Sequence, residues 1–139
     1  MERYFKLTEE TRVNEAGVTL HRIEATRDSR HAKAGEKGGF VAGTYNVIDE
    51  AWVADEAEVW GEARLYGYSY AGEQARIYEK ASMHNLSRAD GESRVYGLSM
   101  LTESARVMDN AHVFGYTKLS GSVRIGRDAI VGHTKGYCS

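Results

Sequence analysis

Proline is absent from these 139 residues, and cysteine occurs once, at Cys138. A single thiol excludes an intrachain disulfide, so packing and hydrogen bonds must hold the fold, and a reducing cytoplasm is the expected compartment. Without proline no backbone N–H is withdrawn from a ladder, and corners must be turned by residues of positive φ, for which fifteen glycines are available. No apolar run approaches the roughly 18 residues of a membrane span. The segment Met1-Glu2-Arg3-Tyr4-Phe5-Lys6 lacks the pattern of a signal peptide. Charge of one sign is missing too: 18 basic residues against 20 acidic ones leave −2. No membrane partner is therefore expected, and nucleic acid is disfavoured. The length suits one domain with a core of its own.

What the chain does have is a six-residue period running from residue 41 to residue 131 without a break. Val41, Val47, Val53, Val59, Leu65, Ala71, Ile77, Met83 and Ala89 begin a register that continues through Val95, Leu101, Val107, Val113, Leu119, Ile125 and Val131. Two residues before these lies a second register, small or β-branched throughout, from Ala51, Ala57, Ala63 and Ser69 to Thr117, Val123 and Ala129. Residues at i and i+6 fall on different sides of an α-helix. Glycine or asparagine in mid-repeat (Gly61, Gly67, Asn85, Gly91, Gly97) would cost a helix about 1 kcal/mol each. A short strand centred on the aliphatic residue, followed by a cornered turn, satisfies both observations. Each unit then buries its apolar face only by stacking on its neighbours.

Repeats such as Val59-Trp60-Gly61-Glu62-Ala63-Arg64, Val95-Tyr96-Gly97 and Val113-Phe114-Gly115 resemble the hexapeptide repeat of left-handed parallel β-helices, in which three hexads make one triangular coil. The resemblance implies an all-β, left-handed parallel β-helix solenoid of about five coils over residues 41–139. Residues 1–40 lie outside the period. The alternating stretch 17–25 reads as a strand, paired with the stretch around residues 4–7, and the segment is expected to form a small N-terminal β-hairpin cap. Lys33-Ala34-Gly35-Glu36-Lys37-Gly38-Gly39-Phe40-Val41, placed between that strand and Val-x-Gly-x-Ala-Arg hexads, resembles a group of phage and prophage proteins of this fold. Many of that group are described as transferases by analogy alone.

With three hexads to a coil, residues 18 apart stand above one another on an outer face. One face then carries Trp60, Tyr78, Tyr96 and Phe114 in a column, beside Glu58, Arg76, Arg94, His112 and Ile130. A second face places Arg88, Arg106 and Arg124 in line with Trp52 and Tyr70, and a third carries Tyr66, His84, Thr102 and Ser120. Four aromatics of about 150–250 Å² each could make a strip as large as the biggest patch on most monomers, which is commonly an interface. The alternative is cross-strand stacking alone, worth about 0.2–1 kcal/mol per pair. Trp60, Tyr78, Tyr96, Phe114, Arg76 and Arg94 are thus the candidate contact residues. The expected partners are further copies of the chain, as a dimer or trimer, or a host protein complex. The arginines interleave with Glu58, Glu62, Glu73, Glu79, Glu92 and Glu103, and these are expected to form a solvated surface of weak ion pairs.

The acyltransferases of the resembled fold use a histidine in a groove between subunits. His112 and His84 are the candidates for that alternative, in which imidazole acts as general base. The uninterrupted hexads leave no loop to close over an acyl donor. His84, His112 and His133 are spaced unlike the three imidazoles of a zinc site, so neither metal nor cofactor is expected. A non-enzymatic oligomeric binding or scaffold protein is the first expectation, and within the phage resemblance an inhibitor of a host defence system. A filament-forming solenoid is a further alternative.

Overall fold

The computed structural model describes residues 3–133, and it is an all-β parallel solenoid of about five turns. Most hexads contribute a two-residue strand, one residue facing out and one facing in: Arg76–Ile77, Ser82–Met83 and Arg88–Ala89 lie on three successive sides of one coil. Strands 18 residues apart pair in parallel, as in Arg76↔Arg94↔His112. The three sheets so formed have eight, five and four strands. The inward register is the core. Val41, Val53, Val59, Leu65, Ile77, Met83, Val95, Leu101, Val107 and Val113 are all fully buried. At about 1.5–3 kcal/mol per large aliphatic side chain, this column is the main stabilising term. Leu119, Ile125 and Val131, the last inward residues described, are partly buried and pack against this core.

The hexad at Val47 departs from the period. Val47 makes an isolated bridge to Leu65, and Thr44–Asn46 form a 3₁₀ turn. Asn46 is fully buried there, accepting from Gly43 N–H at 2.9 Å and donating to the Ala63 carbonyl at 2.8 Å. A buried amide with both ends satisfied takes the place of a strand there.

The N-terminal segment joins the first sheet. β1 (Phe5–Val13) pairs antiparallel with β2 (Thr19–Ala25), and β2 pairs antiparallel with β3 (Lys37–Val41). β3 in turn runs parallel to Glu58–Val59, so it belongs to the hairpin and to the solenoid at once. Gly39 permits this approach, because a Cβ there would stand 2.6 Å from the Ala57 carbonyl oxygen. Phe5, Ile23, Ala25 and Ala32 join the core cluster of the coils. No helix of the described residues is long and apolar enough to cross a membrane.

The corners carry a device the sequence analysis missed. Asp49, Asp55, Glu73, Glu79, Glu103 and Asp109 all adopt positive φ, between 54° and 59° for five of them and 60° for Glu79. Each carboxylate accepts the backbone N–H of the corner residue 18 positions on, respectively Gly67, Glu73, Gly91, Gly97, Gly121 and Arg127, at 2.5–2.9 Å. Glu73, Glu79 and Glu103 are therefore rung-to-rung acceptors, which corrects their reading as plain members of a solvated ion-pair surface. Left-handed backbone costs a non-glycine residue about 1–2 kcal/mol, and a charge-assisted hydrogen bond at the same corner offsets it.

Candidate functional site

The outward residues of the first face form two vertical columns on either side of the buried aliphatic row. In one, Trp60 stacks on Tyr78 (ring centroids 4.6 Å apart, planes 5° apart), Tyr78 on Tyr96 (4.9 Å, 4°) and Tyr96 on Phe114 (5.5 Å, 14°). Parallel strands in register set this spacing, since each ring projects from an equivalent backbone position one coil on. The faces of the rings cover one another and their edges point outward, so all four side chains are half-buried. Burial pushes the Tyr96 phenol up, and the neighbouring Tyr78 and Glu79 add to this against the opposing Arg94 charge.

The second column is Glu58, Arg76, Arg94, His112 and Ile130, and the β1–β2 turn folds onto its lower half. Asn14 Oδ1 accepts from the N–H groups of Ala16 and Val18, both at 3.0 Å, which shapes that turn and presents Glu15. Glu15 Oε1 lies 2.8 Å from Arg76 Nη1 and 3.7 Å from Arg94 Nη2. Glu58, buried to 5 % exposure, meets Arg12 Nε at 3.2 Å and Arg76 Nε at 3.7 Å. Both candidate arginines thus have a carboxylate partner within the chain. Glu15 escaped the sequence analysis because it stands outside the period, where no column arithmetic reaches it.

At and above that clamp the face is concave. Arg76 and Arg94 separate two concavities of about 290 and 240 Å³. The first also takes in His112, Gln74, Glu92 and Asn110, and the second reaches Trp60 and Tyr78 beneath the turn. His112 meets Tyr96 edge-on, with centroids 6.1 Å apart and planes at 81°. Beside the aromatic column, at the corner, Leu98 is 44 % and Tyr116 52 % exposed, and across the face Ile130 is 74 % exposed. Leu98 and Tyr116 are themselves 18 residues apart, so the same column arithmetic applied to corner positions would have found them.

The second face is less basic than its sequence suggests. Asp90, 4 % exposed, binds Arg88 Nε at 3.1 Å and Arg106 Nη2 at 2.8 Å. Trp52 is 1 % exposed, and Tyr70 is covered by Arg88 on its ring and by His31, whose ring lies 5.1 Å away. His31 comes from the loop between β2 and β3, and its Nε2 lies 2.7 Å from the Tyr68 carbonyl oxygen. Burial holds its pKa below the ordinary histidine value, and the Arg30 and Arg88 charges act the same way; the Tyr68 carbonyl and Glu50 oppose them.

His84 stands on the third face, stacked on Tyr66 at 4.7 Å and 10°, with Nε2 3.0 Å from Ser82 Oγ. Burial lowers its pKa. The structure does not bring His84 and His112 together. Among the described residues neither has a carboxylate within ion-pair distance, and no cluster of three metal-ligating side chains occurs. The backbone of His133 ends the last described strand, paired with Gly115. Cys138 lies outside the described residues. No protein-family model matches this chain, and comparison with curated proteins finds no match either.

Proposed function

We propose that this chain is a non-enzymatic binding protein that self-associates through the upper half of its first face. The observation that carries the reading is the run of apolar surface there. The edges of Tyr96 and Phe114 adjoin Leu98 and Tyr116, and Ile130 borders the same face with 74 % of its surface exposed. Surface of this kind, flanked by Arg94 and His112, has the composition of an interface centre, where aromatic and arginine side chains supply most of the contact energy. The clamp by Glu15 supports the same reading, because it fixes the arginines before any partner arrives and so reduces the ordering cost of association. The occupant is a further copy of the chain: in a two-fold dimer this one patch serves both sides, and in a closed trimer it meets a second surface of the neighbouring copy.

The likeness to phage and prophage solenoids gives such an assembly a setting: a small rigid body whose outer surfaces occlude a host defence complex. Mass by light scattering on the wild type beside Tyr96→Glu tests the self-association. The expected result is a dimer or trimer that falls to monomer on substitution, with the β-rich circular dichroism spectrum unchanged. A monomeric wild type, or a Tyr96→Glu protein that keeps its oligomeric mass, refutes it.

A further inference from the structure

One concavity stands apart from the first and second faces. It opens between the start of β1 and the first coils, with a volume of about 950 Å³, at the upper end of the 300–1,000 Å³ usual for small-molecule sites. Phe5, Val47 and Ile48 give it apolar walls. Tyr4, Tyr45 and Tyr68 line it with rings, each with a guanidinium over it: Arg27 at 4.5 Å, Arg64 at 5.9 Å and Arg30 at 5.3 Å respectively. Tyr45 and Tyr68 are 45 % and 42 % exposed, so each keeps surface for a ligand.

The cleft arginines differ from most of those on the first two faces. Arg12, Arg22, Arg76, Arg88, Arg94 and Arg106 each have a carboxylate within 3.7 Å. Arg3 and Arg64, both lining the cleft, have none among the described residues. The lining also holds two carboxylates, each already hydrogen-bonded: Asp49 accepts the Gly67 N–H at 2.9 Å, and Glu50 accepts the Arg30 N–H at 3.2 Å. The cleft thus sets guanidinium, phenol and two hydrogen-bonded carboxylates around an apolar floor.

We infer that this cleft binds a nucleoside phosphate, its base on the tyrosine rings and its phosphate on Arg3 and Arg64. An aromatic base stacks on any such ring, and a guanidinium meets a phosphate through paired, charge-assisted hydrogen bonds. An inorganic anion alone would leave most of the volume unfilled. A long polynucleotide is disfavoured by the corner carboxylates around the solenoid: Asp49 and Glu103 stand on the corner column that borders the cleft, and Asp55, Glu73, Asp109 and Glu79 on the other two. The cleft is remote from Tyr96, so the inference stands or falls apart from self-association.

Isothermal titration calorimetry of the full chain with adenosine 5′-monophosphate, adenosine and inorganic phosphate tests it. The monophosphate is expected to bind with a Kd below about 1 mM, at least about tenfold tighter than either fragment. Arg64→Ala and Tyr68→Ala should each weaken it about tenfold or more, with the circular dichroism spectrum unchanged. On the wild type alone, tyrosine fluorescence should respond to the monophosphate and not to inorganic phosphate. No heat up to about 10 mM overturns the inference, as does equal affinity for inorganic phosphate. Binding insensitive to both substitutions, or binding of a single-stranded oligonucleotide without binding of the mononucleotide, overturns it too.

Discussion

Substitutions at Glu79 isolate the corner carboxylates. Its φ is 60°, and its Oε1 accepts the Gly97 N–H at 2.9 Å. Glu79→Ala removes the acceptor and keeps the unfavourable backbone. The exposed setting limits the loss to about 1 kcal/mol, the net worth of an ordinary hydrogen bond. Glu79→Gly removes the same acceptor but relieves about 1–2 kcal/mol of left-handed strain, against about 0.5–1 kcal/mol of extra chain entropy in the unfolded state. The glycine variant should therefore lie within about 0.5 kcal/mol of the wild type, and the alanine variant about 1 kcal/mol below it. Glu79→Val, β-branched at a position of positive φ, should be the least stable of the three. Urea unfolding followed by far-ultraviolet circular dichroism gives the order, and thermal melts should separate alanine from wild type by roughly 2–6 °C. An alanine variant as stable as the wild type, or a glycine variant as unstable as alanine, would refute the account of the corners as a balance between strain and a carboxylate bond.

Two further outcomes are expected. Val95→Asp should fail to fold, or lose at least about 4 kcal/mol, because a carboxylate would replace a fully buried methyl pair with no partner in the prism; far-ultraviolet circular dichroism and urea unfolding check it. His31, whose folded pKa is lowered, binds its proton later than in the unfolded chain as pH falls. Its contribution is whole above the ordinary histidine pKa and is lost as pH drops through that value toward the folded one. Melting temperature should thus fall between about pH 7 and pH 5, and His31→Gln should flatten that part of the curve.

The core and the columns were legible because a solenoid makes sequence separation into geometry. When every contact of a rung is with the residue 18 positions away, counting places Tyr78 on Trp60 and Arg94 beside Arg76 without further information. The same counting accounts for Val41 through Val113 as one buried row. It also reaches the corner carboxylates, since Glu79 and Gly97 are 18 apart, but only once the side chain is known to point along the stack rather than into solvent. Counting did not reach the hexad at Val47, where Thr44–Asn46 turn and the Asn46 amide takes over the hydrogen bonding.

The amino-acid sequence by itself determined the repeat, its buried register and the order of residues on each face, because those follow from nearest-neighbour stacking. Tertiary structure alone decided where the aperiodic N-terminal segment goes. Its turn sets Glu15 on Arg76 and Arg94, its loop sets His31 on Tyr70, and its first residues close one wall of the arginine–tyrosine cleft. No period links those residues to their partners, whose separations of 61 for Glu15–Arg76 and 37 for His31–Tyr68 share no common step. Such contacts are chosen by the packing of Phe5, Ile23 and Ala25 onto the first coil, and that packing exists only once the coil has formed.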